Sequence, residues 1–485
     1  MKRTAFYLGP LAGLLMPLLL ETPDHPHAPA MAGIALWMAI WWISECVPLA
    51  VTALLPLLAL PLTGIATAKE VAPRYMTSIM FLFIGGFLIA QALERTGLHR
   101  RIALAILSRW HASPFQILAG FAGATAFLSL WISNTATTML MVTVGLAVLS
   151  RLNHEDPGAG AASRAGGFAA ALLLVIAYAA NIGGMGTPVG TVPNLVLLEM
   201  LDAHAPALKP TFMQWMMLGI PVVLAGLALV LALFARRVRR IPWASAVAAD
   251  TLEAERRRLG PMRREERFVA WVLGLTALAW MTRKGIQGES FSIPGWSSLL
   301  PYPGVDDGTV AIAGALALFL LPGRDGRPIL DKAAFGHLPW GILILLGGGF
   351  ALATGMQQSG LSQWLGEQLH AFAAIPLPLM LILIALLMTF LTEITSNTAI
   401  TQVMLPILAA VALGNDLDVV LLLMAATLSA SCAFMLPVAT PPNAIVFGTE
   451  RIPMAAMVRA GVALNLTMPL LIVAMVSLLR PVFPA

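Results

Sequence analysis

The chain has 485 residues, of which 59% are hydrophobic and 11% are charged, and its mean hydropathy is +0.84. This composition excludes a soluble domain and predicts an integral membrane protein. The net charge of +5 comes from arginine-rich loops, which orient membrane proteins, so it does not indicate nucleic-acid binding. Cys46 and Cys432 lie in apolar runs and are expected to be buried small hydrophobes rather than a disulfide or metal ligands.

Apolar runs along the chain predict spanning helices. The basic, apolar start lacks an Ala-x-Ala cleavage site after Leu20, which favours a first spanning helix over a signal peptide. The arginine-rich, amphipathic stretch 94–110 is expected to lie along the membrane surface. The predicted spans lie near residues 5–20, 30–47, 48–64, 77–95, 168–200, 211–235, 268–284, 308–322, 339–358, 418–448 and 455–480.

Two further apolar stretches, 115–150 and 376–413, each carry a polar motif at their centre. The motifs are Ser-Asn-Thr-Ala-Thr-Thr at 133–138 and Ser-Asn-Thr-Ala-Ile-Thr at 396–401. Each stretch is long enough to enter the membrane and return, so both are predicted to be re-entrant hairpins with covered, irregular tips. A single such motif is equally typical of a polar helix–helix contact, but two copies in corresponding places favour a functional site.

The correspondence between the two halves is regular. The second Ser-Asn-Thr motif follows the first by 263 residues, and so does Gly348-Gly349 after Gly85-Gly86. Further on, the segment 437–443 resembles 188–194 at an offset of 249, because the first half has a longer loop at 151–167. The chain is therefore an internal duplication, and duplicated transporters place their site between the repeats.

The segments 188–194 and 437–443 are predicted to interrupt the spans 168–200 and 418–448, because glycine and proline at this density cannot continue a helix. An interrupted helix frees carbonyl oxygens, which suit hard cations, and helix N-termini, which attract anions. Cation and anion sites can therefore lie side by side without lysine or arginine. Two purely structural kinks are the alternative.

The distribution of lysine and arginine predicts the topology. If eleven spans cross and neither hairpin does, 23 of the 29 basic residues lie on one side. The bias places the N-terminus in the cytoplasm and the C-terminus outside. The hairpins then enter from opposite sides, as in an inverted-topology repeat. The predicted divisions are an N-terminal helix and loop (1–30), a first repeat (31–240), an arginine-rich cytoplasmic connector (241–267) and a second repeat (268–485). The charged segment 236–267 is expected to be a solvated loop with helix ends near anionic headgroups, and the outer loop 285–308, rich in glycine, proline and serine, is expected to be irregular.

The paired Ser-Asn-Thr motifs, the Gly-Thr-Val-Pro-Asn and Ala-Thr-Pro-Pro-Asn breaks, and Trp-Trp-Ile-Ser-Glu-Cys-Val-Pro at 41–48 together resemble the divalent anion/sodium symporter family of INDY-type dicarboxylate transporters. The resemblance covers essentially the whole chain. It implies an all-α protein of the bacterial inner membrane with about 11 transmembrane helices and two re-entrant hairpins. It also implies a homodimer, an elevator-like transport domain on a fixed scaffold, and coupling of several sodium ions to a C4 dicarboxylate or citrate, with no organic cofactor.

Carried over by motif position, the resemblance implies three sets of site residues. The first sodium site would use Ser129, Ser133, Asn134 and the Gly190 carbonyl. The second would use Thr392, Thr395, Asn397 and the Ala439 carbonyl. The substrate carboxylates would be held by Asn134, Thr135, Ser396, Asn397 and Thr398, with Thr440 and Pro441 lining the site. Thr392 follows Ser129 by 263 residues, so the duplication supports this pairing independently.

Other interpretations stay open. Glu45 and Glu393 lie in apolar runs, where a carboxylate either relays protons or cations or accepts backbone N–H bonds at a bend, and the second is favoured. A sodium-independent exchanger and a sulfate transporter are alternatives of the same class. A membrane enzyme is disfavoured, because the eight histidines lie in predicted loops or span ends and form no His-x-x-x-His pair.

Overall fold

The computed structural model describes residues 2–155, 161–239, 245–287, 292–302, 304–323, 326–368 and 375–483. In these residues the chain is helical apart from short turns, loops and a two-residue strand pair, Ile286–Gln287 with Ser292–Ile293, in the outer loop that was expected to be irregular. The predicted all-α class is confirmed.

The helices of the first half are α1 (Lys2–Leu19), α2 (Ala28–Ser44), α3 (Leu49–Thr52), α4 (Leu55–Leu62), α5 (Ala68–Val71), α6 (Ser78–Thr96), α7 (Leu98–Leu107), α8 (Pro114–Ser129), α9 (Asn134–Glu155), α10 (Ala161–Gly183), α11 (Val192–His204) and α12 (Phe212–Val238). Those of the second half are α13 (Ser245–Leu259), α14 (Arg264–Thr282), α15 (Asp307–Leu320), α16 (Ala333–Gly336), α17 (Trp340–Gln358), α18 (Leu361–Gln368), α19 (Leu377–Thr392), α20 (Asn397–Gly414), α21 (Val419–Ala430), α22 (Pro441–Phe447) and α23 (Met454–Leu478).

Six segments of the described chain are long and apolar enough to cross a membrane, namely Ala68–Thr96, Gly166–Gly186, Phe212–Arg236, Trp340–Gln358, Asn397–Gly414 and Met454–Leu478. Several shorter apolar helices accompany them, including Ala28–Ser44 and Asp307–Leu320. One of the six is α20, which was predicted to be an arm of a hairpin. Length alone therefore does not distinguish a returning arm from a crossing helix.

The duplication recurs in the helix boundaries. The first and last residues of α19 follow those of α8 by 263 residues, the same spacing that separates the two Ser-Asn-Thr motifs. The first residue of α20 follows that of α9 by the same number. Beyond the breaks, α11 and α22 begin at the offset that relates the two break segments. Each polar motif thus lies at a short interruption between two helices, as the hairpin prediction requires. The four-part division of the chain stays a prediction.

Two segments differ in local structure from what was predicted. The span predicted near 48–64 is present as the apolar segment Leu49–Leu62, but it is not continuous: a turn divides it into α3 and α4, because Pro56 lacks the N–H that would continue the ladder between them. The connector, expected to be a solvated loop with helix ends, contains the helix α13. This segment is rich in alanine, which has the highest helix propensity. It also contains glutamate–arginine pairs at helical spacing, such as Glu253 with Arg257, which stabilise a helix.

Cys432 is buried and Cys46 is half-buried, and both are free thiols. The expectation of full burial is therefore confirmed only for Cys432. Parts of three predicted features lie outside the described residues: 156–160 of the long loop, 240–244 at the start of the connector, and Ala485 at the predicted external C-terminus.

Glycines bring the equivalent helices α6 and α17 close to their neighbours. A Cβ atom on Gly85 of α6 would lie 2.5 Å from the Ala311 carbonyl carbon of α15. A Cβ atom on Gly348 of α17 would lie 2.4 Å from the Ala53 carbonyl oxygen. Small residues allow such close packing in membrane bundles. These contacts hold α6 against α15 and α17 against the end of α3, while the next glycines, Gly86 and Gly349, face Val189 of the first break and Gln402 of α20.

Candidate functional site

One cavity of about 620 Å³ lies where both hairpin tips and both helix breaks meet. Its volume is within the range typical of small-molecule sites. Eleven of the thirteen predicted site residues line it: Ser133, Asn134, Thr135, Gly190, Thr395, Ser396, Asn397, Thr398, Ala439, Thr440 and Pro441. The other two, Ser129 and Thr392, are fully buried and lie directly behind the tips. Residues from the two distant halves of the chain therefore meet in one place.

In the first tip, the Ser129 hydroxyl connects the hairpin to the broken helix. It lies 2.6 Å from Asn134 Oδ1 and 2.7 Å from the carbonyl oxygen of Ala180, either of which it can donate to. Nearby, a Cβ atom on Gly184 would lie 2.9 Å from Asn134 Oδ1 and 3.1 Å from the Gly190 carbonyl oxygen. Glycine at this position therefore lets the amide and carbonyl oxygens approach one another. Such a set of uncharged oxygens is suited to a hard cation.

The second tip repeats this arrangement. The Thr392 hydroxyl lies 2.5 Å from Asn397 Oδ1 and 2.9 Å from the Ala430 carbonyl oxygen. Thr395 lies just after α19 and donates its hydroxyl hydrogen to the Leu391 carbonyl oxygen in the last turn of that helix, over 2.7 Å, so its oxygen keeps a lone pair for another partner. The two oxygen sets therefore match in their serine or threonine, their asparagine and their break carbonyls.

A second asparagine closes each break. Asn194 donates from Nδ2 to the carbonyls of Gly184 at 3.0 Å and Thr187 at 2.8 Å. Asn443, its counterpart in the second break segment, donates from Nδ2 to the carbonyls of Ala433 and Leu436, both at 3.0 Å. These bonds hold the irregular backbone that carries Gly190 and Ala439. Both asparagines end the repeated break motifs, but the motif alone did not indicate this role.

Asn181 connects the two halves. Its Nδ2 lies 3.2 Å from Thr440 Oγ1 and 3.3 Å from the Ala433 carbonyl oxygen, so a residue of α10 holds the break of the second repeat. It is buried and also lines the cavity. Sequence reasoning missed it, although a lone amide in the apolar run 172–182 is a detectable signal.

Helix N-termini and two charged side chains determine the electrostatics of the cavity. The helices α9, α11 and α20 begin at or next to lining residues, so the partial positive charge of their first turns faces the cavity. Lys2 and Glu45 are the charged members of the described lining. Lys2 is remote from both motifs in sequence, so inspection of sequence neighbours missed it.

The two acidic residues in apolar runs behave differently. Glu393 accepts three backbone N–H bonds and one side-chain N–H bond, as the favoured interpretation predicted. Glu45 is exposed in the cavity wall with a left-handed φ of 47°. Among the described residues none donates a backbone N–H to its carboxylate, so the same interpretation was wrong for Glu45.

A family model described as the sodium:sulfate symporter transmembrane region matches residues 2–483. The chain belongs to this family. The divalent anion/sodium symporter resemblance predicted from the motifs is thereby confirmed, and this member of the symporter family is an integral membrane transporter and not an enzyme.

Curated relatives of this symporter family member cover nearly all of it. The "Sodium-dependent dicarboxylate transporter SdcS" of Staphylococcus saprophyticus is 40% identical over 484 residues, which are 98% of this chain and 90% of the relative. The protein of the same name from Staphylococcus aureus is 38% identical with the same coverage. A solved structure, the YdaH transporter of Alcanivorax borkumensis, covers 100% of this chain and 99% of its own, with a TM-score of 0.56 and 16% identity. At that identity the likeness shows the fold alone.

Proposed function

We propose that this symporter family member is a sodium-coupled secondary active transporter that imports a small dianion. A C4 dicarboxylate such as succinate, malate or fumarate is the first candidate, and citrate is the second. The observation that carries the proposal is the convergence of two matched oxygen sets and two donor-bearing tips on one cavity. The names of the curated relatives, sodium-dependent dicarboxylate transporters, support it.

The substrate is assigned to the two tips. Asn134 and Thr135 at one tip, and Ser396, Asn397 and Thr398 at the other, offer amide, hydroxyl and backbone donors to carboxylates. Two separate donor sets suit an anion with a charged group at each end. Thr440 and Pro441 complete the wall between them.

Sodium is assigned to the two oxygen sets. The first contains Ser129, Ser133, Asn134 and the Gly190 carbonyl, and the second contains Thr392, Thr395, Asn397 and the Ala439 carbonyl. An unpaired dianion at membrane depth is very unfavourable, and bound cations offset most of that cost. Coupling between the two ligands is then reciprocal by thermodynamic necessity.

We also propose an elevator mechanism in a homodimer of the bacterial inner membrane, in which hairpins and broken helices move against a scaffold containing α6 and α17. The arginine bias assigns the N-terminus to the cytoplasm. Because Lys2 lines the cavity, this conformation would then be open to the cytoplasm. A cysteine at position 245, in a chain without Cys46 and Cys432, should resist impermeant thiol reagents in intact cells. Ready labelling there would contradict this orientation.

The description of the family favours sulfate as a second candidate substrate. Sulfate has one charged centre, so it would not need donors at both tips. A sodium-independent dicarboxylate exchanger is the third candidate, and it leaves the two oxygen sets without a role.

Transport into proteoliposomes separates these candidates. We expect an inward sodium gradient to drive labelled succinate uptake, and malate and fumarate to compete better than sulfate. Uptake that needs internal dicarboxylate but not sodium would indicate the exchanger. Sodium-driven uptake of sulfate but not succinate would indicate the sulfate transporter.

A further inference from the structure

Glu393 is a carboxylate enclosed at the second tip. It is 2% exposed and directly follows Thr392, the last residue of α19. Its Oε1 accepts N–H bonds from Phe434 at 2.6 Å and Met435 at 2.7 Å, and its Oε2 accepts one from Leu436 at 2.9 Å. Asn465 of α23 donates a fourth bond from Nδ2, at 2.7 Å from Oε1. Among the described residues no lysine, arginine or histidine forms an ion pair with it.

The carboxylate binds the backbone N–H groups of the second break, while amide side chains bind its carbonyl oxygens. Glu393 accepts bonds from the N–H groups of residues 434–436, and Asn443 donates to the carbonyls of Ala433 and Leu436. The segment fixed in this way leads to Ala439, whose carbonyl belongs to the second oxygen set. The carboxylate therefore links the hairpin that carries Thr392 and Asn397 to the break that carries the carbonyl.

The equivalent position of the first half carries no charge. The repeat counterpart of Glu393 is Leu130, and this residue contributes only its carbonyl oxygen, which accepts the Thr187 hydroxyl at 2.6 Å. The first break is also bonded by Trp215, whose Nε1 donates to the Met185 carbonyl at 3.1 Å. The bonds described for the first break therefore come from uncharged groups, whereas at the second break a carboxylate acts together with the amides of Asn443 and Asn181.

We propose that Glu393 is a positioning residue that sets the sodium affinity of the second oxygen set and makes the two cation sites unequal. This inference rests on the proposed sodium coupling. Charge-assisted bonds to a carboxylate are shorter and stronger than neutral ones, so they fix the distance between the tip and the break. The negative charge also lies one residue from Thr392, where it attracts a bound cation through a medium of low dielectric. A proton relay is disfavoured, because four donors already occupy the carboxylate oxygens.

The test compares Glu393→Gln and Glu393→Asp with the unaltered chain in proteoliposomes. Glutamine keeps the size but removes the charge and replaces an acceptor by a donor. We expect the half-saturating sodium concentration to rise about tenfold in Glu393→Gln, the scale of one lost charge-assisted bond. The maximal rate at saturating sodium should fall much less. Aspartate keeps the charge with a shorter reach and should give an intermediate shift.

Asn465→Ala provides an independent variant, because it removes one donor and leaves three in place. It should shift the sodium dependence in the same direction by a smaller factor, and it decides the question if Glu393→Gln fails to insert. Unchanged half-saturating sodium with a lower maximal rate in these variants would show a merely structural role and overturn the inference. Sodium-independent transport by the unaltered chain would instead overturn the proposed function itself.

Discussion

Asn134 and Asn397 are the two residues that the proposal assigns to both ligands. Each has its amide oxygen next to a hydroxyl of its own hairpin, at 2.6 Å from Ser129 and 2.5 Å from Thr392. Each also begins a helix at the edge of the cavity. An asparagine can offer Oδ1 to a cation and its NH₂ group to a carboxylate, so one side chain can connect the two sites.

We expect Asn134→Ala and Asn397→Ala each to abolish sodium-driven succinate uptake in proteoliposomes, because each change removes an oxygen ligand and a donor together. Thr143→Ala is a suitable control, since Thr143 lies on α9 outside the cavity lining and bonds only within its own helix. Full transport by either asparagine variant at the reconstitution level of the control would contradict the site assignment.

The members of the candidate site could be predicted from the sequence where the two halves repeat each other, and could not be predicted where they differ. Ser129 and Thr392 were paired by a constant offset, and the structure places both behind their tips. Asn181 has no asparagine counterpart, because the matching region of the second half carries Ala430 and Ser431. Lys2 reaches the cavity only through the packing of α1. Such contacts between distant segments depend on the assembled fold, which local patterns do not encode.

At the scale of elements, the hairpins and breaks were predicted well because their cause is local. Polar and glycine–proline clusters interrupt otherwise apolar runs, and the helices end at those clusters. The connector was predicted poorly, since its charge suggested a solvated loop. The structure shows instead that α13 and the start of α14 are anchored to α7 by ion pairs of Arg100 with Glu255 and Arg101 with Glu266.

Arg101 should be the more important of these anchors. Its guanidinium donates to both oxygens of the buried Glu266, at 3.0 and 3.3 Å, and to the Gly260 carbonyl at 3.0 Å. Removing one partner of a fully buried pair costs about 3–5 kcal/mol, because the other charge remains. The cost here should be smaller, since the Arg101 side chain is 20% exposed while that of Glu266 is 4% exposed. We therefore expect Arg101→Ala to lower the melting temperature of the purified protein strongly, and Arg101→Lys to rescue it only in part, since an ammonium cannot form the fork.

The matched control is Arg109→Ala, because Arg109 is exposed and bonds to Ala105 one turn before it. Its melting temperature should stay close to that of the unaltered chain. If Arg101→Ala melts at the same temperature as Arg109→Ala, the anchor is not structurally important.

At the scale of the whole molecule, two glycines at the same position of the two repeats contact side chains from different elements. A Cβ atom on Gly349 of α17 would lie 1.4 Å from Oε1 of the fully buried Gln402 of α20. A Cβ atom on Gly86 of α6 would lie 3.5 Å from Val189 in the first break. The repeat counterparts of these two partners are Met139 and Val438, and they are 58% and 81% exposed.

An inverted repeat suggests how the elevator would reverse. If the halves exchange conformations, Met139 should pack on Gly86 and Val438 on Gly349 in the opposite state. We expect cysteines replacing Gly86 and Met139, in a chain without Cys46 and Cys432, to cross-link during turnover and to block transport once linked. A pair that never cross-links under any sodium or succinate condition, although both thiols react with small reagents, would contradict this exchange.

The coupling of sodium to the dianion is tested most directly by calorimetry on the purified protein. Succinate binding is measured in sodium and then with sodium replaced by potassium or choline. Because no lysine or arginine lies within ten residues of either Ser-Asn-Thr motif, we expect succinate affinity to rise with sodium concentration. Sodium affinity should rise with succinate by the same factor. Succinate affinity that is unchanged when sodium is replaced would contradict sodium coupling.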